Sequence, residues 1–341
     1  MLDIFHLKRG ALLMMILGSC IVLHAQDIHY SQFNRSPIYI NPGLSGIFKG
    51  DVRFVANYRD QWKTVPVGYQ SFSASVEKKI INTNQKNSLF SVGLLFNYDE
   101  AGDLTLSQTG VGFAGSYTHR LAEKHFLTGG LHLGLAQRRI SDANLRVDNQ
   151  YNGDTFDPSL ATGETGLNAT TGFGDFSFGL NYRIQNPFKR TKIDIGGSIF
   201  HINKPNTSLF EGADLDLDRR FNLYAMTSFK VAEELDLGLR ALGQFQGPHQ
   251  EIVLGGTLKY HINQRRSREV AIGLALQYRL GDAWIPTIIL DYHSWSVGFN
   301  YDINSSLFNA ATARKGGPEL SLIYIFSKVR PPKEFEICPI F

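Results

Sequence analysis

The feature that most limits how this chain can fold is a period-two alternation, about ten residues long, recurring from Asp51 to Phe326 with a turn after each repeat. Between Val270 and Leu280 it is nearly unbroken. Val270, Ile272, Leu274, Leu276 and Tyr278 fall on one side, and Ala271, Gly273, Ala275, Gln277 and Arg279 on the other. The stretch from Asp175 to Ile184 sets Phe176, Phe178, Leu180, Tyr182 and Ile184 against Asp175, Ser177, Gly179, Asn181 and Arg183. Successive side chains of a strand point to opposite faces, so each segment has one apolar face and one small or polar face. Leu89 to Asp99 obeys the rule with one departure, Leu95, which puts a large apolar side chain on the small-residue face.

Similar segments at roughly 52–59, 69–78, 105–119, 125–137, 191–202, 220–230, 235–246, 250–261, 283–291, 293–301 and 317–326 bring the total to about fourteen. Strands of soluble proteins average about five or six residues, whereas strands of this length cross a bilayer when tilted. A face of Gly, Ser, Asn and charged residues makes a poor half of a dry core, which argues against a soluble sandwich or propeller. Tyr58, Tyr98, Tyr117, Tyr182, Tyr260, Tyr278, Tyr301 and Tyr324 end apolar faces repeatedly, as an interfacial aromatic girdle requires. Strands in hydrocarbon must pair every backbone group, so the set must close on itself. The pattern therefore predicts an all-β fold over 51–326: a transmembrane antiparallel up-and-down β-barrel of about fourteen strands.

Connection lengths give a separate check. With the barrel entered from the periplasm, the long connections near 138–173, 203–219 and 302–316 all fall outside, and the short ones near 119–124, 231–234 and 291–294 fall inside. Transmembrane barrels show that asymmetry.

The first 25 residues read as a signal peptide, with Lys8-Arg9, an apolar Ala11–Leu23 and a small-residue site ending at Ala25. Lipoprotein processing at Leu17-Gly18-Ser19-Cys20 is the alternative, though it leaves apolar Ile21-Val22-Leu23 directly after the cysteine. Residues 26–50 are expected to form a periplasmic or plug segment, and 327–341 a periplasmic tail holding Cys338. Asn41-Pro42-Gly43 reads equally as a plain turn or as part of that plug or docking element. The 34 basic and 31 acidic residues nearly balance, so nothing marks the chain for nucleic acid.

Catalytic patterns are scarce. The ten histidines are scattered and no Gly-x-Ser-x-Gly elbow occurs, so the chain reads as a non-enzyme without cofactor. His132 shares a face with Gly130, Gly134 and Ala136, which suits a lumen hydrogen bond better than catalysis. Asp214, Asp216 and Asp218 begin like a calcium loop, but the required Gly and later Glu are missing, so no metal is expected.

An ordered set of motifs resembles the PorP/SprF family of outer-membrane proteins. It comprises Gln26-Asp27, Tyr30-Ser31-Gln32-Phe33, Ile38 to Gly43, Tyr58-Arg59-Asp60-Gln61-Trp62, Tyr69 to Ser75, Phe156-Asp157-Pro158 and Asp175 to Leu180. His201 to Ser208, Arg219-Arg220-Phe221, Tyr301 to Asn304, Gly316 to Leu322 and Cys338-Pro339 complete it. The resemblance implies a role in type IX secretion or gliding in Bacteroidetes. The expected partners are membrane lipid, secretion components and the C-terminal domains of secreted cargo or adhesins, which the barrel would hold at the cell surface. Candidate partner-binding residues are Asn41, Pro42, Gln61, Trp62, Asp157, Pro158, Asn203, Pro205, Arg219 and Arg220. Trp62 could equally be a belt residue, and the last four flank an external loop. A channel or transporter for small or hydrophobic solutes is the alternative, motivated by the polar, small-residue face.

Overall fold

A computed structural model describes residues 27–62, 68–80, 87–102, 106–140, 148–157, 159–160, 169–186, 190–265, 268–306 and 312–328. Cys20, Pro158, Cys338 and the expected signal peptide lie outside these residues.

Fourteen antiparallel strands form one closed barrel in which each strand pairs with its neighbours in sequence. They are β1 (Val52–Gln61), β2 (Tyr69–Ile80), β3 (Ser88–Ala101), β4 (Leu106–Ala122), β5 (His125–Arg139), β6 (Thr170–Gln185) and β7 (Lys192–Phe200), followed by β8 (Arg220–Lys230), β9 (Leu235–Gln246), β10 (His249–Asn263), β11 (Val270–Arg279), β12 (Ala283–Tyr292), β13 (Trp295–Asn304) and β14 (Lys315–Phe326). β1 closes on β14 in a register running from Val52 opposite Phe326 to Arg59 opposite Glu319. No sheet edge is left for water or lipid to satisfy.

The alternation sorts side chains as expected. On β11, Ile272, Leu274 and Leu276 stand outside, while Ala271 and Ala275 are buried toward the lumen. Rings gather near the strand ends on the outside: Tyr278 packs on Trp284 and Trp295 on Tyr324, each at 4.5 Å between centroids. Strand boundaries differ from the sequence reading by a few residues, as at Ala122 rather than 119 for the end of β4 and Phe200 rather than 202 for the end of β7. β6 begins at Thr170 rather than 175, and the loop after β13 begins after Asn304 rather than at 302. Strands β4 to β6 run to 17, 15 and 16 residues, beyond what a bilayer needs, and carry the wall past the membrane on the side of the long connections. That side is the outer end.

The interior is not empty. Residues 27–50 lie inside the barrel as a chain with little regular structure: a 3-10 turn at Phe33–Arg35, a short helix α1 (Pro37–Ile40) and a second 3-10 turn at Pro42–Leu44. Phe33, Ile40, Leu44 and Ile47 pack against Tyr224, Leu242, Val253 and Ile285 of the wall. Ile38 meets Leu95 and Ala114, which accounts for the departure at Leu95: it turns an apolar side chain inward to receive the plug.

Candidate functional site: the plugged lumen and its outer mouth

A segment with so few internal hydrogen bonds must find partners elsewhere for its buried N–H and C=O groups. The lumen face supplies them all the way from the outer mouth to the periplasmic end. At the outer mouth, Asp27 is held by Arg220 at 3.1 Å and by His201, which is also 2.9 Å from Asp175. Arg220 donates to the Tyr39 carbonyl at 3.1 Å and lies 4.4 Å from the Phe200 ring centroid. Burial pushes the Asp27 carboxyl up, but the His201 and Arg220 charges outweigh it and hold it well below its ordinary range. Burial likewise pushes His201 down, yet Asp27 and Asp175 raise it to about 9, so it is a cation at neutral pH.

Just below the mouth, the Ser31 and Gln32 amides donate to the Glu319 carboxylate at 2.7 and 2.9 Å. Asp302 accepts from the Ser31 hydroxyl at 2.7 Å and from Arg59 at 2.9 Å, with Arg279 at 3.2 Å. In the middle the Asn41 amide, wholly buried, donates to the Leu180 and Gly197 carbonyls and the Tyr224 hydroxyl at 2.8, 3.2 and 3.0 Å. Its Oδ1 accepts from the Gly43 N–H at 2.6 Å. Gly130 explains part of the glycine content: a Cβ there would sit 2.3 Å from the Pro42 carbonyl carbon, so the plug backbone needs the missing side chain. At the periplasmic end, Glu77 binds Arg53 through both oxygens at 2.8 Å and accepts from the Gly46 N–H at 3.0 Å. Lys79 donates to the Phe48 carbonyl.

The described residues thus begin at the outer mouth with Asp27, pass through the lumen, and emerge at the periplasmic end to begin β1. A cavity of about 80 Å³ remains beside it on the outer side, lined in part by Ile28, Ile38, Leu95, Phe200 and His132.

The candidate residues separate into two groups. Asn41, Pro42 and Arg220 are enclosed and hold the plug, and Gln61 is buried at the end of β1. Trp62, Asp157, Asn203 and Arg219 lie at the outer end. Trp62 has φ of 60° and packs edge-on against Tyr69 at 5.3 Å. Asp157 accepts from the Ser159 N–H and hydroxyl at 2.9 and 2.6 Å, which draws its carboxyl down. Asn203 donates to the Gly174 carbonyl and accepts from the Phe176 N–H, so its amide extends the ladder of β6 beyond the end of β7. Pro205 is buried and accepts through its carbonyl from the Leu217 N–H at 2.9 Å. Arg219 donates to the Ile202 carbonyl at 3.1 Å while Arg220 points inward, as consecutive residues entering a strand must. The loop residue Asp214 accepts from Asn206 at 3.0 Å. Among the described residues no group of three or more His, Cys, Asp or Glu side chains is arranged to hold a metal ion.

The ionic anchors Arg53, Arg59, Glu77, Asp302 and Glu319 are absent from the sequence-derived set. Their signal is a charge on the lumen face of a spanning strand, where an unpaired charge is costly and a partner is therefore implied.

The family model for the type IX secretion system membrane protein PorP/SprF matches residues 22–324. The chain belongs to the PorP/SprF family. It is a type IX secretion membrane protein and an outer-membrane β-barrel. No curated protein matches the sequence. Among solved structures, the fold is similar to the Ralstonia pickettii toluene transporter TbuX, with 11% identity, a TM-score of 0.50, and 86% of this chain and 94% of that one covered. A Pseudomonas aeruginosa FadL homologue is 10% identical with a TM-score of 0.48, covering 86% of this chain and 94% of that one. At such identities the likeness to TbuX shows the barrel fold and nothing about cargo.

Proposed function

We propose that this PorP/SprF barrel is a non-catalytic docking component of type IX secretion or gliding, binding a secretion component or holding secreted cargo at the cell surface through its outer loops. The observation that carries this reading is the filled lumen. The plug is tied to the wall at both ends and in the middle, so recognition falls to the exposed outer surface. That surface presents large apolar side chains that a solvated loop does not need: Tyr151, Phe156 and Leu160 on one long loop, Phe210 and Leu215 on another. Exposed apolar groups rimmed by polar residues favour protein contact. Trp62, Asp157, Asn203 and Arg219 fit the rim of such a contact.

Affinity purification of the tagged protein from native membranes tests it. Wild type should recover a secretion component or a secreted cargo protein, and Phe210→Asp with Leu215→Asp should lose it while the barrel still folds. Recovery of neither class, or equal recovery by the variant, contradicts the reading.

A channel for small or hydrophobic solutes has one observation in its favour, the partly apolar cavity beside the plug at the outer mouth. Stable conducting steps or solute uptake by the intact protein would support it over docking.

A further inference from the structure

A larger cavity, about 240 Å³, lies in the periplasmic half of the lumen between the plug and the wall formed by β6 to β10. Its lining is strongly basic: Arg53, Arg183, Lys192, Arg240 and Lys259 against Asp194 and Asp236. Three of the five cations are neutralised. Arg53 pairs with Glu77, Lys259 with Asp291, and Arg183 takes both oxygens of Asp194. Asp236 is also taken, by Arg190 at 2.9 Å and His261 at 2.8 Å.

That leaves Lys192 and Arg240. Neither has a carboxylate within ion-pair distance among the described residues, and Arg240 donates to the neutral side-chain amide oxygen of Asn34 in the plug, at 2.9 Å. Lys192 feels the charges of Arg183, Lys259 and Arg240 as well as that of Asp194, which Arg183 already binds. Thr257 lines the same cavity, is 6% exposed, and its hydroxyl has no hydrogen-bond partner. Buried hydroxyls and enclosed charges are expected to be paired. The buried idle hydroxyl of Thr257, beside a half-buried Arg240 with no carboxylate partner and an exposed Lys192 at the rim, therefore describes a site with room for an anion from outside the chain.

We propose that this cavity binds a phosphate group, as inorganic phosphate or as a small phosphomonoester entering from the periplasm. A phosphate monoester carries between one and two negative charges at neutral pH and several strong acceptor oxygens. That matches two cations and a hydroxyl better than a carboxylate does. Lys192 opens β7 at the periplasmic end and is solvent-exposed, which gives the ligand its way in. A bilayer lipid has no route, because the closed wall separates the cavity from the membrane.

The test is calorimetric titration of the full-length protein in detergent with inorganic phosphate, glycerol 3-phosphate and acetate. Phosphate should bind saturably at one site per chain and raise the unfolding temperature. Lys192→Gln and Arg240→Gln should each weaken binding by about tenfold or more, the scale of one lost charge-assisted hydrogen bond. Lys124→Gln, on an exposed periplasmic turn, should leave binding unchanged. Thr257→Val keeps both charges and should weaken binding severalfold, which serves if either charge variant misfolds. Tighter binding of glycerol 3-phosphate than of phosphate identifies an ester as the ligand, and weaker binding identifies the free anion. Absence of saturable phosphate binding by the wild type overturns the proposal without any variant. Acetate binding as tightly as phosphate, or loss with Lys124→Gln equal to that with Lys192→Gln, overturns it as well.

Discussion

Replacing Asn41 with alanine should free the middle of the plug while leaving the barrel intact. The side chain is wholly enclosed; its Nδ2, with two hydrogens, lies within hydrogen-bond distance of three acceptors, and its Oδ1 accepts from the Gly43 N–H. Alanine removes them all, but not every partner is left unsatisfied. Tyr224 still donates to Asn181 at 2.8 Å, and the Leu180 and Gly197 carbonyls belong to paired strands. The Gly43 N–H, by contrast, loses its acceptor inside the lumen. Orphaning one buried polar group costs about 1–3 kcal/mol, so about 2 kcal/mol is expected, a shift of about 30-fold in the opening equilibrium. Amide hydrogen exchange of residues 38–46 in detergent reads this directly, because exchange there follows local opening. Exchange should quicken about 30-fold in Asn41→Ala, with the strands unchanged. Asn41→Asp should be worse, since it keeps the acceptor for Gly43 but turns an oxygen toward the Leu180 and Gly197 carbonyls. Wild-type protection in Asn41→Asp would refute the claim that this amide anchors the plug.

Three further outcomes follow from the same geometry. His201 is raised from 6.5 to about 9, so its share of the outer latch is complete below pH 6.5 and lost as pH rises through about 9. Asp27 is lowered, so its share is present above its ordinary 3.8 and lost as pH falls through its folded value; bilayer currents should be quiet at neutral pH and flicker at about pH 10, and a silent record there contradicts the latch. Gly130→Ala places a methyl against the Pro42–Gly43 backbone and should expose residues 28–46 to protease in a barrel that still migrates as folded on heat-modifiability gels; unchanged protection would mean the close approach is not real. Leu274→Arg, on a side chain 61% exposed at the middle of β11, should cost about 2–4 kcal/mol of folding into lipid vesicles by denaturant titration, and a negligible cost would deny that this face meets lipid.

The barrel was legible because its information is local. Each strand carries its own alternation and each turn its own length, so fourteen segments could be placed without knowing which strands touch. The plug was only half legible. Asn41-Pro42-Gly43 reads as a turn as easily as a lumen anchor, and what separates the readings is the wall it faces, including Leu95 on β3 and Gly130 on β5. The ionic anchors were not legible at all as pairs. Arg59 and Glu319 stand opposite each other only because β1 closes on β14, a contact that spans nearly the whole chain. Arg219 and Arg220 looked alike in sequence, yet strand entry turns one to the rim and the other into the lumen.

Single-channel recording puts the central claim, a lipid-facing barrel stoppered by its own residues 27–48, to its most direct trial. The intact chain in a planar bilayer at neutral pH should stay silent, and a folded variant lacking residues 27–48 should give stable conducting steps. Equal conductance from both, or silence from both, would contradict it.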